Sequence, residues 1–449
     1  NEAVSFNKRK VNVRELVMNS LLEMKVKMPE IVKGVKGLMN TNKIAEPIEK
    51  GILRANHDLH IFRDGTIRYE LLNAALTHFR PREIGTSVEK IRELGYEKDV
   101  EGKELENEEQ LLELRPQDII VHEGAIAFLY DVTKFIDEEM ERFYGVEPFF
   151  RKSSKDEIIG EFVLGLAPHT SAAIVGRIIG FTKARVCFAH PFYHLCKRRN
   201  ADGDQDSVML LMDALLNFSH SYLPGSRGGR MDAPLVFTIV MNPNEIDDEA
   251  HEIETCAKYP IELYEESQNF SNPNLDSIPI VKKKLGKEGQ YTGIGFTHDT
   301  ATFDEGPKIS NYVRLGSMEE KIRSQAELQG RIAAVDKRDS LERVMVSHFL
   351  PDIIGNARAF SRQNFRCTSC NTKYRRIPLT GKCTNCAKGN IILTIAEGSV
   401  IKYLKIAKEM TKEYDLSPYI SQRIGLIEEE ISSVFRNDKV RQKSLAEFA

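Results

Sequence analysis

Three aspartates at every second position are the strongest chemical signal in this chain. Asp202, Asp204 and Asp206 alternate with single residues, one of which is Gly203. In extended backbone, residues i and i+2 project from the same face, so the first two carboxylates should point together. Glycine lets the chain bend so that both reach one ion. Because Mg²⁺ prefers hard oxygen ligands, the spacing predicts a divalent metal site, and the alternative is a solvated acidic turn.

Asp206 has two interpretations. Residues 207–217 have apolar side chains at helical spacing, at Val208, Leu211, Met212 and Leu215, which predicts a helix. Asp206 would stand at its N-cap, where aspartate is preferred. It is therefore either a helix cap or a third metal ligand.

Basic residues flank the aspartates and indicate an anionic substrate. Lys197, Arg198 and Arg199 precede them directly, and Arg227 and Arg230 follow in a glycine-rich stretch. Arginine suits bidentate phosphate binding, and a basic rim around an acidic centre is typical of polymerases and nucleases. The alternative for the glycine-rich stretch is a plain surface loop.

Four cysteines predict a second, structural metal site. They form the pattern C-x2-C-x12-C-x2-C, which is the spacing of closed tetrahedral zinc sites. Disulfides are the alternative, but we expect a cytoplasmic protein, in which thiols stay reduced. The residues are Cys367, Cys370, Cys383 and Cys386.

Composition limits the class of protein. The chain has 449 residues, 41% hydrophobic and 29% charged, with a formal net charge of −3, which excludes a globally basic nucleic-acid binder. No apolar run approaches the roughly 18 residues of a transmembrane helix. The first residue is Asn1, so we expect a fragment or one part of a divided polypeptide.

The order of short strands, glycines and helices predicts an α+β, multidomain protein with a β-rich barrel rather than a doubly wound sheet. Strands are expected at 118–121, 125–130, 184–189, 235–241 and 391–395, and helices at 131–143 and 318–335. The expected domains are a mixed α/β region (1–115), a barrel region (116–300), a helical region (301–365), a zinc module (366–388), a partner-binding region (389–435) and a tail (436–449).

Long strings of residues resemble the large, catalytic subunit of the archaeal family-D replicative DNA polymerase. The strings that carry this resemblance are 46–55, 166–172, 175–181, 189–206, 228–236, 296–300, 348–353 and the segment from 365 through the four cysteines.

The resemblance implies a double-psi β-barrel like that of multi-subunit RNA polymerases. It places the catalytic Asn-x-Asp-x-Asp motif on Asn200, Asp202 and Asp204. The RNA polymerase counterpart has a third aspartate, which leaves Asp206 as a candidate for a further Mg²⁺ ligand. The implied reaction is nucleotidyl transfer from a dNTP to a primer 3′-hydroxyl on a DNA primer-template. The implied partner is a small subunit with proofreading exonuclease activity.

The resemblance also gives a meaning to the C-terminal tail. Gln442, Leu445 and Phe448 have the spacing of a sliding-clamp-binding peptide, although the usual second aromatic residue is absent and Ala449 stands there instead. By spacing alone, a frayed polar tail is the alternative.

The family's other barrel, with basic catalytic residues, lies upstream of everything in this chain. We therefore expect an incomplete active site that needs the upstream portion of the large subunit. Two other classes remain open, namely a metal-dependent phosphodiesterase or nuclease and a non-catalytic replication scaffold.

Overall fold

The computed structural model describes residues 12–35, 46–223, 227–272, 274–295, 302–303, 309 and 311–435. The chain forms two compact units, Asn1–Ile309 and Ser310–Ala449. The main sheet crosses the expected boundary at 115/116, because strand β1 (Tyr69–Ala75) lies in the same sheet as strands from the 116–300 region.

A closed ring of six strands forms the centre of the first unit. The strands run in the order β4-β7-β1-β8-β5-β6, and β4 pairs with β6 to complete the ring, while β9 extends from β6. β1/β7, β4/β6 and β6/β9 are parallel and the other pairs are antiparallel. The strands of this unit are β1, β2 (His78–Phe79), β3 (Leu112–Glu113), β4 (Asp118–His122), β5 (Phe162–Leu166), β6 (Ala172–Thr182), β7 (Val186–Ala189), β8 (Gln205–Leu210) and β9 (Val236–Thr238).

Apolar side chains from the ring strands make the main core of this unit. β-branched residues favour strands because they pack well on a pleated surface. Several of those on β4, β5, β6 and β8 are almost fully buried in one cluster, which includes Val121, Val163, Ile174, Ile178 and Val208. The predicted strands at 118–121 and 184–189 are confirmed to within two residues, and 235–241 contains only the short β9.

The predicted strand at 125–130 is wrong, because these residues belong to helix α4 (Glu123–Arg142). The His122 side chain accepts a hydrogen bond from the Gly124 N–H and caps this helix. Buried positions at Ala125, Leu129, Val132 and Ile136 then follow the helical period, and this longer pattern decides the structure of the short apolar run. The other helices of this unit are α1 (Val13–Met24), α2 (Ile48–Asn56), α3 (Val88–Glu93), α5 (Pro191–Cys196), α6 (Leu211–Asn217), α7 (Arg227–Arg230) and α8 (Ile261–Gln268).

The second unit is helical and has its own core. Its helices are α9 (Asn311–Arg314), α10 (Met318–Arg331), α11 (Lys337–Val344), α12 (Leu350–Arg362), α13 (Glu397–Ile401), α14 (Leu404–Glu413) and α15 (Pro418–Phe435), and a π-helical segment, Met345–Phe349, joins α11 to α12. The predicted helix at 318–335 therefore ends four residues early. A small sheet of β10 (Phe365–Cys367), β11 (Lys373–Tyr374) and β12 (Ile391–Ile392) carries the cysteines.

Within the ranges described, no helix is both long enough and apolar enough to cross a membrane.

Candidate metal and phosphate site

The acidic loop, residues 198–204, connects α5 to β8 at one end of the strand ring. Asp202 is exposed and Asp204 is half-buried, so both carboxylates are accessible from solvent. Residues 201–203 form a bend rather than extended backbone, and Gly203 has a φ of +99°. No atom would obstruct a side chain at Gly203, so this left-handed conformation is the reason for glycine there. The Arg199 guanidinium lies 3.5 Å from an oxygen of Asp204.

Asn73 on β1 fixes the backbone of the acidic loop. Its side-chain oxygen accepts hydrogen bonds from the N–H groups of Gly203 (2.9 Å) and Asp204 (3.0 Å), and its amide nitrogen donates to the Asn200 carbonyl at 2.7 Å. Its own N–H donates to the Asp204 carbonyl at 2.9 Å. The side chain is 1% exposed. Sequence reasoning missed Asn73, and the signal was a polar residue within the apolar run from Leu71 to Ala75.

Asp206 does not cap a helix, which corrects one of its two interpretations. It lies in β8, opposite Leu71 of β1, and the helix begins only at Leu211. The carboxylate is fully buried, and its Oδ1 accepts a hydrogen bond of 2.9 Å from the Ser207 N–H. Its Oδ2 pairs with the Lys197 ammonium.

Lys197 is buried, which contradicts its prediction as a phosphate contact. The side chain is completely enclosed, and its ammonium lies 4.6 Å from the centre of the Tyr193 ring. A buried charge needs a partner to offset its desolvation, and Asp206 supplies that partner. The basic residues that remain accessible within the acidic loop are Arg198, which is exposed, and Arg199, which is partly buried.

Two histidines, the α5 residue His194 and the N-cap residue His190, are buried, which disfavours their charged form. Burial lowers the pKa of His194 to about 3, and the neighbouring Lys197 charge acts in the same direction. Burial likewise lowers the pKa of His190 to about 3. His194 donates from Nε2 to the Ala74 carbonyl at 3.0 Å, and His190 accepts from the Phe192 N–H as the N-cap of α5. These contacts give both histidines a structural role.

Two glycines make room for the helix that precedes the acidic loop. Tyr193 of α5 is fully buried. A side chain at Gly165 would place its Cβ 2.4 Å from the Tyr193 hydroxyl, and one at Gly176 would place it 2.8 Å away. Both values lie well inside van der Waals contact, so the absence of side chains on β5 and β6 lets α5 pack against the ring.

The loop between β5 and β6 contacts both β8, the strand that follows the acidic loop, and the segment after α7. Helix α7 carries the second pair of basic residues. At its start, the Leu166 carbonyl accepts a hydrogen bond of 2.7 Å from the Ser207 hydroxyl, next to Asp206. Further on, the His169 N–H donates to the Asp232 carboxylate at 3.0 Å, and the Ser171 N–H donates to the Met231 carbonyl at 2.9 Å. These contacts bring the segment after α7 to the same end of the ring as the acidic loop.

The basic stretch at 224–230 is only partly described. Residues 224–226 lie outside the described part of the chain, and residues 227–230 form the short helix α7. Arg230 is exposed. Arg227 begins the helix. The predicted clamp-binding residues, Gln442, Leu445 and Phe448, also lie outside the described residues.

The four cysteines come together in the second unit. One ligand atom from each lies within 4.8 Å of all the others, and no other group of three or more His, Cys, Asp or Glu side chains in the described ranges meets this criterion. The three aspartates therefore do not converge as one set. Each pair of cysteines is followed by a residue with a left-handed backbone, Asn371 and Ala387. Gly389 admits the Cys367 sulfur, which would lie 2.1 Å from a Cβ at that position.

The Cys383 thiol favours the thiolate form, although desolvation and the neighbouring thiols raise the pKa of Cys367 to about 11. Burial opposes ionisation of Cys383, but hydrogen bonds from the Tyr374 hydroxyl and from backbone N–H groups outweigh it and lower the pKa of this thiol to about 6. Thiolate is the form that binds metal, so the cluster could hold an ion.

Comparison with known proteins identifies the family. Residues 25–321, more than half of the chain, match the family described as DNA polymerase II large subunit DP2, catalytic domain. The chain is 52% identical over 443 residues to the DNA polymerase II large subunit of Methanothermobacter thermautotrophicus, covering 98% of this chain and 40% of that protein. It is 51% identical to that of Pyrococcus furiosus, covering 96% of this chain and 34% of that protein.

A further relative has the same name. The large subunit of Archaeoglobus fulgidus is 48% identical over 450 residues, covering 100% of this chain and 39% of that protein. The chain thus spans about two fifths or less of the length of these relatives. Since the family match covers more than half of the chain, the chain belongs to the DNA polymerase II large-subunit family.

Proposed function

We propose that this chain is part of the catalytic subunit of a family-D DNA-directed DNA polymerase that acts in archaeal replication. The observation that carries the proposal is the acidic loop, which presents two accessible carboxylates at one end of a closed strand ring. Membership of the DP2 catalytic-domain family supports the same conclusion.

The strand ring is, on this proposal, a double-psi β-barrel. Six strands, mixed parallel and antiparallel pairing, and strand neighbours that are distant in sequence support this assignment. The acidic loop lies between α5 and the ring strand β8. The assignment also explains why the loop backbone is fixed through Asn73 of another ring strand.

Asp202 and Asp204 would hold Mg²⁺, with Asn200 beside them. Both carboxylates are accessible, and their oxygen donors match the preference of Mg²⁺. Bound Mg²⁺ would supply charge stabilisation for the attacking and leaving oxygens as a primer 3′-hydroxyl displaces pyrophosphate from a dNTP. Arg198 and Arg199, with Arg227 and Arg230 on α7, would bind the phosphates of DNA and nucleotide.

The other assignments concern structure and partners. The four cysteines would bind Zn²⁺, because four thiolates form a closed tetrahedral site. The partners would be a small exonuclease subunit, a sliding clamp bound by the tail, and the upstream portion of the large subunit. That upstream portion would supply the basic half of the active site.

Primer extension tests the function. The chain is combined with an upstream large-subunit fragment and a small subunit, and incorporation of dNTP in Mg²⁺ is compared for the wild type, Asp204→Asn and Asp131→Asn. Asp131 is an exposed control that pairs with Lys134 at 3.1 Å, outside the acidic loop. We expect at least a hundredfold loss of synthesis in Asp204→Asn only, as for loss of a group that stabilises transition-state charge (about 10²–10³-fold).

The other outcomes contradict the proposal. Synthesis that is unchanged in Asp204→Asn would overturn the metal assignment. DNA degradation without dNTP incorporation, lost in Asp204→Asn, would favour a nuclease. Assembly with neither activity would favour a non-catalytic scaffold.

A further inference from the structure

We infer that Lys197 and Asp206 form a positioning pair that holds the two ends of the acidic loop together, and that neither binds metal or phosphate. This inference rests on the proposed function, because it concerns how the carboxylates of that site are placed. The pair brackets the segment that carries Arg198, Arg199, Asp202 and Asp204.

The contacts of Asp206 argue against a ligand role. Both of its oxygens are engaged, one by the Ser207 N–H and the other by the Lys197 ammonium. Nδ1 of His194 lies 3.7 Å from the second oxygen. Asp206 and Lys197 are fully buried, so an ion bound there would lie beside a buried ammonium, which like-charge repulsion disfavours.

The surroundings of Lys197 argue for a fixed position. It follows α5 directly, and its ammonium lies over the Tyr193 ring, which is itself held against Gly165 and Gly176. Asp206 is the second residue of β8. The pair therefore ties the end of a packed helix to the start of a ring strand, and the exposed loop leaves from these two fixed points.

Asn73 and the pair act on different parts of the loop. Asn73 binds its backbone at Asn200, Gly203 and Asp204, whereas the pair closes its base. Groups that orient metal ligands without touching the metal commonly change metal affinity by about 10–100-fold when they are removed. We expect the pair to act in this way.

Mn²⁺ binding, followed by electron paramagnetic resonance on the full chain, tests the inference. The variants are Lys197→Met, Asp206→Asn and the double variant Lys197→Met/Asp206→Leu, with Asp202→Asn and Asp204→Asn as the ligand controls. Each is measured at a temperature at which circular dichroism shows it folded. The two single variants should bind Mn²⁺ at least about tenfold more weakly, because each leaves one buried charge unpaired.

The double variant separates a positioning role from a ligand role. Replacing a buried ion pair by apolar side chains is often neutral or stabilising, so it should bind within about threefold of the wild type. If it binds as weakly as Asp206→Asn, Asp206 is a ligand and the inference is overturned. Wild-type affinity in both single variants would also overturn it, since the pair would then serve stability alone.

Two further results remain decisive. If the single variants do not fold, the Mn²⁺ affinity of the double variant decides alone. An affinity within about threefold of the wild type supports the inference, and weaker binding overturns it. If Asp202→Asn and Asp204→Asn both keep wild-type Mn²⁺ affinity, the metal site of the proposed function fails, whatever the pair variants show.

Discussion

The amide nitrogen of Asn73 donates a hydrogen bond of 2.7 Å to the backbone carbonyl of Asn200, across 127 residues of sequence. The same side chain accepts from the backbone at Gly203 and Asp204. One buried asparagine on a central strand therefore determines the backbone path of the loop that carries the acidic residues.

Asn73→Ala should weaken both the fold and the metal site. It removes three side-chain hydrogen bonds, each worth about 1 kcal/mol, so the free energy of unfolding should fall by about 1–3 kcal/mol. Urea denaturation measures this change, and Mn²⁺ titration of the folded variant should show weaker binding. Asn107→Ala is the control, because Asn107 is exposed and its side chain accepts a local hydrogen bond from the Glu109 N–H. Equal effects of the two substitutions would contradict the role given to Asn73.

The cysteine cluster could be predicted because its chemistry is local in sequence, and the acidic metal site stays a prediction of the same kind. Asp202, Asp204 and the four cysteines owe their meaning to neighbours within about twenty residues. The mixed α+β class followed in the same way from short periodic segments. Spacing of this kind survives folding, because two short turns bring the four thiols together.

Residues whose role depends on tertiary contacts were not predictable from spacing. Lys197 and Asp206 belong to a charged run that suggests solvent exposure, yet β1 and α5 enclose both. The apolar run from Val208 fits both a strand and a helix pattern. Pairing with β1 and β5 makes its first part, up to Leu210, a strand, and helix α6 begins only at Leu211. Such outcomes depend on which strands become neighbours, and sequence periodicity does not contain that information.

Gly165→Ala should disturb α5 and thereby the acidic loop. Its Cβ would lie 2.4 Å from the Tyr193 hydroxyl, which has no free space because Tyr193 is fully buried. Overpacking of this kind costs about 1–3 kcal/mol of unfolding free energy. Adding Tyr193→Phe should recover part of that loss, because it removes the nearest atom.

Thermal denaturation of these variants supplies the measurement. Gly355→Ala in α12 is the matched control, since no atom lies within 4 Å of the added Cβ. It should leave stability unchanged or raise it by up to about 1 kcal/mol through helix propensity. If Tyr193→Phe recovers nothing, the clash with the hydroxyl is not the cause of the destabilisation.

The cysteine module should need its metal to fold. Between residues 366 and 388, the buried side chains are Cys367 and Cys383, so this segment has almost no apolar core of its own. The metal must then supply much of its folding free energy. Purified protein should contain about one zinc ion per chain, and Cys383→Ser should lose it. Cys256→Ser, outside the cluster, should retain it.

Elemental analysis and limited proteolysis measure this prediction. A chelator or Cys383→Ser should expose the module to cleavage, while the strand ring of the first unit remains resistant. Full protease resistance of the module after complete removal of zinc would contradict a structural role for the metal.

A buried carboxyl group on α6 should make stability depend on pH. Asp213 is 0% exposed, and burial raises its pKa to about 7, although the Ile67 N–H and the Asn217 amide donate to it at 2.7 and 2.9 Å. Aspartate in an unfolded chain has a pKa of about 3.9. Between these two values the folded state holds a proton that the unfolded state has lost.

The free energy of unfolding contributed by Asp213 should therefore be greatest below about pH 4, fall as pH rises, and level off above about pH 7, with a total loss of at most about 4 kcal/mol. The measurement is the difference in unfolding free energy between the wild type and Asp213→Asn from pH 4 to pH 8, because this difference cancels the other titrating groups. Relative to Asp213→Asn, the wild type should lose stability across this range. Asp131→Asn, at an exposed position, should show no such trend. A difference that is flat with pH would mean that Asp213 ionises normally despite its burial.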